Sequence, residues 1–473
     1  MNIQRWTLAV VCAATAMLML DIAVVNTALS RIAEDLHTGL SGLQWVVDAY
    51  TLALASTVLT AGSLADRLGR RRVFTFGLAL FTGASLVCGL AQDITMLNTA
   101  RAVQGLGAAV MFAVSLALLA HAYPGARERG AALAAYGATI GASFAVGPLV
   151  GGLLTSGLDW QWIFLVNLPI GLFCLWGTRA KVEESRDPNS RGIDWPGQIT
   201  LTAGLFLLVL ALLRGNEVGW TSGQIVAELA GAVVALVAFV IVQSRVSEPM
   251  LPLRFFRNPS FTGVQIAAFS ISASFFAVFL YTTLYLQQIL GLSAIEAGLV
   301  YLPGTLAMLV VSGATAQLGA KVPARTMIGV GLALVGVGMM LFTLAGATSS
   351  WWIVLPGELV ALIGTGLFNP AVTNVALSSA PAEQSGVAAG VHDTFRQAGI
   401  AVGVAALGAL IPAENALGGG SPEAYVNGLQ NALWAGAGLA LVGALAASML
   451  ISRKYGAAAA APGPAPALAA APA

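Results

Sequence analysis

The segment "GSLADRLGRRR" (Gly62–Arg72) sets one acid, four arginines and two glycines in eleven residues, between two long apolar runs. Gly62 lets a neighbouring helix approach closely, and Gly69 permits a tight turn. Asp66 can bond backbone donors or an arginine at a helix end. Arginines clustered just outside an apolar run mark the cytoplasmic side of a membrane helix. The segment therefore reads as a short inside loop between two membrane-crossing helices.

The rest of the chain agrees. Its 473 residues are 58% hydrophobic and 9% charged, against about 25% charged in soluble domains, so the class is a polytopic, all-α membrane protein. The net charge is +1, and no basic patch exceeds a loop's worth of arginines, which argues against nucleic acid as a partner. Cys12, Cys88 and Cys174 fall inside apolar runs and imply no disulfide framework. The N-terminus carries one early arginine before its apolar run and no small-residue cleavage site; it reads as a first span rather than a signal peptide.

Runs of roughly 18–25 apolar residues, each able to cross about 30 Å of hydrocarbon, fall near 7–29, 45–65, 73–91, 97–120, 130–154, 161–177, 197–213, 225–243, 264–288, 297–318, 326–346, 353–376, 389–411 and 430–451. Fourteen spans put both termini on one side. With that side inside, 19 of the 22 Lys and Arg lie in inside segments, Arg31 and Arg214 lie outside, and Arg101 lies within a span. The positive-inside rule makes the assignment decisive. Two polar stretches, Thr178–Trp195 and Ser244–Phe261, bracket spans seven and eight. The expected partition is an N-terminal six-helix bundle (1–177), a linker with two extra spans (178–244), a C-terminal six-helix bundle (245–455) and a disordered Ala/Pro tail (456–473).

The pattern of Gly62, then Asp66-Arg67, then Gly69-Arg70-Arg71 resembles the signature loop of the major facilitator superfamily. Other segments extend the resemblance over residues 7 to 455. "LNTARAVQGLGAA" (Leu97–Ala109) resembles the family's second motif, with Arg101, Gln104, Gly105 and Gly107 in position. "GPLVGG" (Gly147–Gly152) resembles the span-five motif of its antiporter branches, with Ser143 where a glycine is usual. "LDIAVVNTAL", "DWQWIFLVNLPIG" and "VHDTFRQAGIAVG" resemble segments of spans one, six and the eleventh-type span in fourteen-span drug:proton antiporters. Ser30 and Gln161 depart from the usual proline and arginine. The resemblance implies two six-helix bundles with inverted repeats plus the two-helix linker. The repeat is decayed: "GATAQLGAKVPAR" (Gly313–Arg325) has Gln317 in the place of Asp66. Gly62, Asp66, Arg67, Gly69 and Arg70 are then a conformational latch. Gly105, Gly147, Pro148, Gly151 and Gly152 are helix-packing and gating positions, because small residues four apart suit close packing and a proline bends the span.

Ionisable residues inside spans are expensive and mark function by default. Those singled out here are Asp21, Asp48, Arg101, Glu228 and Glu358. At about 1.5 Å per residue, Asp21, Asp48, Arg101 and Glu358 share the outer third of the membrane on four helices. Asp21 and Arg101 are expected to form a proton-coupling pair, with Glu358 facing them from the other bundle and Asp48 beside them; Glu228 sits near the outer face. Met17, Met19, Phe275, Phe276, Phe279, Tyr281 and Tyr285 are candidates to line an apolar drug cavity.

His37, His121 and His392 are far apart, no metal-ligand spacing is present, and neither Gly-x-Ser-x-Gly nor a phosphate loop occurs. Enzyme chemistry and direct ATP drive are not indicated, and no metal or cofactor is expected. The expected function is proton-coupled export of drugs or antibiotics by alternating access, from a bacterial inner membrane, with both termini cytoplasmic, by a monomer. The partners implied are a drug-like small molecule, protons and the lipid bilayer. A facilitator or importer of a small metabolite is the alternative; a channel fits less well.

Overall fold

Helices account for almost all of the described chain. The computed structural model describes residues 3–187, 192–318, 321–381, 384–412, 420–453 and 455. In it the expected spans become α1 (Ile3–Asp35), α2 (Leu40–Leu68), α3 (Arg70–Gly89), α4 (Ile94–Ala122), α5 (Ala126–Gly157), α6 (Trp162–Lys181), α7 (Trp195–Val218), α8 (Gly223–Arg245), α9 (Pro259–Ile289), α10 (Ala294–Leu318), α11 (Ala324–Phe342), α12 (Leu355–Ser378), α13 (Ser385–Gly408) and α14 (Pro422–Leu450). Several outrun the apolar stretches that announced them, because polar caps add turns at the ends. Asp93, Asp194, Ser222, Asn258 and Ser421 each accept a backbone N–H of the first turn, satisfying donors a helix start leaves orphaned. Thirteen of the fourteen helices are long and apolar enough to cross a bilayer on composition alone. The other, α13, carries His392, Asp393, Thr394, Arg396 and Gln397 and buries four of them, so packing against protein takes the place of apolarity. The Ala/Pro tail 456–473 lies outside the described residues, as does the side chain of Gln317.

Packing repeats between the halves. Among α1–α6, the main neighbours are α1–α5, α1–α6, α2–α4, α3–α4 and α3–α6; among α9–α14, they are α9–α13, α9–α14, α10–α12, α11–α12 and α11–α14. Numbered within each half, these are the same five pairs. Two contacts join the halves symmetrically, α2 with α13 and α5 with α10. The α7–α8 hairpin lies outside this scheme and leans on the α2–α13 seam. Gln198 of α7 hydrogen-bonds Thr60 of α2 near one end, and Asn216 Nδ2 donates to the carbonyl oxygens of Ala409 and Ile411 near the other (2.9 and 3.2 Å).

The joined halves are closed towards the face opposite the arginine-rich loops. There Gln44 Nε2 donates to Tyr281 Oη (2.7 Å), Gln287 Nε2 to Thr27 O (2.9 Å) and Ile295 N to Ser156 Oγ (3.2 Å). Towards the arginine-rich face α5 and α10 carry glycines with open space beside them: among the described residues, no atom of another helix lies within 4 Å of where a Cβ would stand on Gly130 or Gly137 of α5, or on Gly313 of α10.

Candidate functional site

The residues singled out from the sequence fall into several separate places. The first is a buried polar knot in the N-terminal half. Asp21 and Arg101 are 1% and 2% exposed, and Arg101 Nη1 lies 2.6 Å from Asp21 Oδ2. The other Asp21 oxygen accepts Gln104 Nε2 at 2.8 Å and Asn167 Nδ2 at 3.0 Å. Arg101 Nε donates to Val46 O (3.0 Å), and its guanidinium stacks 4.3 Å above the Tyr50 ring. Ser85 accepts from Gln104. Five helices thus contribute to one closed network. Asn167 reaches it because α6 is interrupted at Val166, which sets that side chain at the start of the longer helical segment. Sequence reading quoted Gln104 and Asn167 inside motifs but gave them no part in the network; Ser85 and Tyr50 it missed. The available signal was polar side chains at helical spacing in otherwise apolar runs.

Glu358 does not face this pair. Its carboxyl lines a cavity of about 20 Å³ with Phe279, Thr282, Tyr301, Gly338 and Leu433, all from the C-terminal half. That volume holds about one water molecule. Asp48 is separate again, at the seam where α2 meets α9 and α13, within electrostatic reach of Tyr281. The expected four-group cluster is therefore divided. Depth along the membrane was common to all four, but each helix turns its acid or base towards a different neighbour. Asp48 is 0% and Glu358 4% exposed, and neither carboxyl has a hydrogen-bond partner among the described residues. A bare charge buried this way costs several kcal/mol, and taking up a proton removes it. Glu228 is instead paired with Arg214 (2.9 Å).

The glycines form the second feature. Gly147 and Gly151 of α5 rest on Ala23, Val24 and Thr27 of α1 with no room for a methyl group. A Cβ on Gly152 would stand 2.6 Å from Ala294 O of α10, and one on Gly298 of α10 2.5 Å from Pro148 O. The "GPLVGG" segment thus seats α5 against both halves at once. Gly105 brings α4 onto α2, where a Cβ would meet Ala53 at 3.0 Å.

The loop between α2 and α3 is the third. Gly69 takes φ +111°, a conformation that favours glycine, and turns the chain from α2 into α3. Asp66 pairs with Arg70 at 2.8 Å. Arg67 is exposed, and Gly62 faces Ala113 of α4. The partner unread from sequence is Glu184, beyond α6. Its Oε1 accepts Arg71 N at 2.9 Å, and its carboxylate lies 3.8 and 3.7 Å from Arg71 and Arg72.

The expected drug-lining residues divide as well. Met17 and Met19 are core residues of the N-terminal half, and Tyr281 and Tyr285 are buried and hydrogen-bonded. Phe275, Phe276 and Phe279 remain half-buried. Phe276 sits beside a π-helical turn of α9 (Ser272–Phe276) and meets Phe144 of α5 edge-on, with centroids 5.4 Å apart, across the two halves. Among the described residues no cluster of His, Cys, Asp and Glu is disposed to hold a metal ion.

A family profile described as Major Facilitator Superfamily matches residues 11–404. The chain belongs to the major facilitator superfamily. Among similar superfamily proteins, the multidrug resistance protein Stp of Mycobacterium tuberculosis is 38% identical over 400 residues, spanning 84% of this chain and 74% of that protein. The methylenomycin A resistance protein of Streptomyces coelicolor is 35% identical, covering 84% and 83%. The puromycin resistance protein pur8 of Streptomyces alboniger is 36% identical, covering 89% and 86%. The crystal structure of the human organic anion transporter MFSD10 (TETRAN) superposes with a TM-score of 0.61 over 94% of this chain and 99% of that one, at 14% identity, which is a likeness of fold.

Proposed function

We propose that this protein is a proton-coupled antiporter that exports drug-like molecules by alternating access, and has no catalytic activity of its own. The observation that carries the coupling is the pair of buried carboxyls, Asp48 and Glu358, that have no hydrogen-bond partner among the described residues. An acid so placed is stabilised by taking up a proton and destabilised by losing it, so any motion that changes its surroundings changes its proton occupancy. Asp21 and Arg101 belong to the same coupling set as its fixed charged anchor, already satisfied by three donors. The resistance proteins among the relatives support export and a drug-like cargo.

In this reading residues 1–177 and 245–455 are the two rocking bundles and 178–244 the linker. The arginine-rich face is cytoplasmic by the positive-inside rule, in a bacterial inner membrane with both termini inside, and the closed face is external. The chain acts as a monomer without cofactor. The "GPLVGG" contacts with α10 open and re-form as the halves rock, while those with α1 hold α5 within its own bundle, and the Asp66–Arg70 loop with Glu184 latches the inner side. One charge moving across 100 mV supplies about 2.3 kcal/mol, a roughly fiftyfold concentration ratio. The test is dye and antibiotic efflux from cells and vesicles, with and without an uncoupler. Efflux that collapses with the proton gradient, and is lost in Asp48→Asn, is expected; efflux indifferent to the uncoupler refutes the antiport reading and favours a facilitator.

A further inference from the structure

A cavity of about 400 Å³ opens on the closed face, between the start of α2, the end of α7 and the end of α13. Its rim includes Gly39 and Glu217, both exposed. Ser41 and Asn216 line its walls, and Gln44 and Gly408 lie at its floor. One wall is supplied by α7, the first of the two extra helices, and Asn216 holds that wall to the end of α13 through the carbonyls of Ala409 and Ile411.

What lies under the floor gives the cavity meaning. Gln44 is 4% exposed and donates through Nε2 to Tyr281 Oη at 2.7 Å. The Tyr281 hydroxyl in turn donates to Val404 O of α13. This pair spans α2, α9 and α13 and is pressed against Gly408, where no methyl group would fit. One helical turn further along the same face of α2, about 6 Å deeper, stands Asp48. It is wholly buried, neither oxygen has a partner among the described residues, and it lies within electrostatic reach of Tyr281. A polar side chain and a phenol therefore separate a cavity wide enough for many waters from a buried acid.

We propose that this cavity is the external proton route, with the Gln44–Tyr281 pair as its lid and Asp48 as its receiver, so that α7, the first of the two extra helices, builds one wall of a proton path. The step is a single transfer: an O–H bond of hydronium in the cavity breaks, one forms on Asp48, and its charge passes from −1 to 0. Titratable groups bordering this path among the described residues include Glu217 on the α7 rim, His37 beside the lining residue Thr38, and Tyr281 on α9, whose backbone carbonyl accepts Tyr425 Oη of α14 at 2.8 Å. Residues 398–412, at the outer end of α13 and just beyond it, have no charged side chain, and on α4 Arg101 turns to Asp21 and Val46 O. The inference rests on the antiport reading for its purpose, but the route is tested without it.

In right-side-out vesicles containing the full chain, Asp48→Cys is expected to react with a small impermeant methanethiosulfonate added outside. The rate is expected to rise at least tenfold when Gln44→Ala or Tyr281→Phe removes the lid bond, and to fall at least tenfold when Ser41→Trp fills the cavity. The wild type, with its cysteines on α1, α3 and α6, sets the background. Reaction from the inside only, or an outside rate unmoved by both lid variants and by the plug, overturns the route. Ser41→Trp with Asp48 intact is expected to slow pH-gradient-driven efflux at least tenfold; full-rate driven efflux through the plugged protein overturns the route's role in coupling. A wild type that ignores an imposed pH gradient, in contrast, sinks the antiport reading whatever the thiol result.

Discussion

Gly151 of α5 lies so close to Val24 of α1 that a Cβ would stand 2.9 Å from the Val24 Cα and carbonyl oxygen. The Thr27 hydroxyl, closer still, is a side chain, but the Val24 atoms are backbone and cannot rotate away. Gly151→Ala is expected to lower stability by about 1–3 kcal/mol and to stop transport, measured as detergent melting temperature and dye efflux. Gly137→Ala on the same helix, with no atom within 4 Å, is expected to leave the melting temperature unchanged or slightly raised.

Asp21 accepts three donors, one of them Arg101. Asp21→Asn leaves the guanidinium buried without its counter-charge, an injury of about 3–5 kcal/mol. The expected outcome is loss of folded protein as well as loss of efflux. Removing both charges, as in Asp21→Asn with Arg101→Gln, is expected to recover part of the melting temperature without recovering transport. A single variant as stable as the wild type contradicts the network as described.

Glu358 has no hydrogen-bond partner among the described residues to lose. Glu358→Gln is expected to hold stability within about 0.5 kcal/mol or raise it, since a neutral amide replaces a group that is costly when charged. Coupled efflux is expected to fall in the same variant, while downhill dye movement continues. A large drop in melting temperature places Glu358 in a structural role.

Glu184 joins the segment after α6 to the start of α3 through Arg71 N and two arginine side chains. These charges are partly exposed, so Glu184→Ala is expected to cost only about 0.5–1 kcal/mol, shrinking at high salt. Its effect on transport is expected to be larger than its effect on stability, because the contact holds the latch loop. Equal efflux from Glu184→Ala and wild type refutes the latch partnership.

The spans, the side that bears the arginines and the family could all be read from Gly62–Arg72 and the motifs around it. Apolar run length and loop charge are local properties, and they survive folding. The pairing of Asp21 with Arg101 was within reach too, because two opposite charges in hydrocarbon on neighbouring helices have few other ways to be satisfied. The separation of Asp48 and Glu358 from that pair was not. Depth follows from counting residues, but the direction a side chain points follows from how each helix is rotated against its neighbours, and glycine contacts such as Gly105 on α2 or Gly152 on α10 decide that rotation. The cavity over Gln44 is further still from the sequence. It exists only because α7, one of the two added spans, stands beside the ends of α2 and α13. The chain alone determined what must cross the membrane and on which side of it the arginines gather; the packed helices decided which buried acids stand without partners among the described residues, since that depends on neighbours hundreds of residues away.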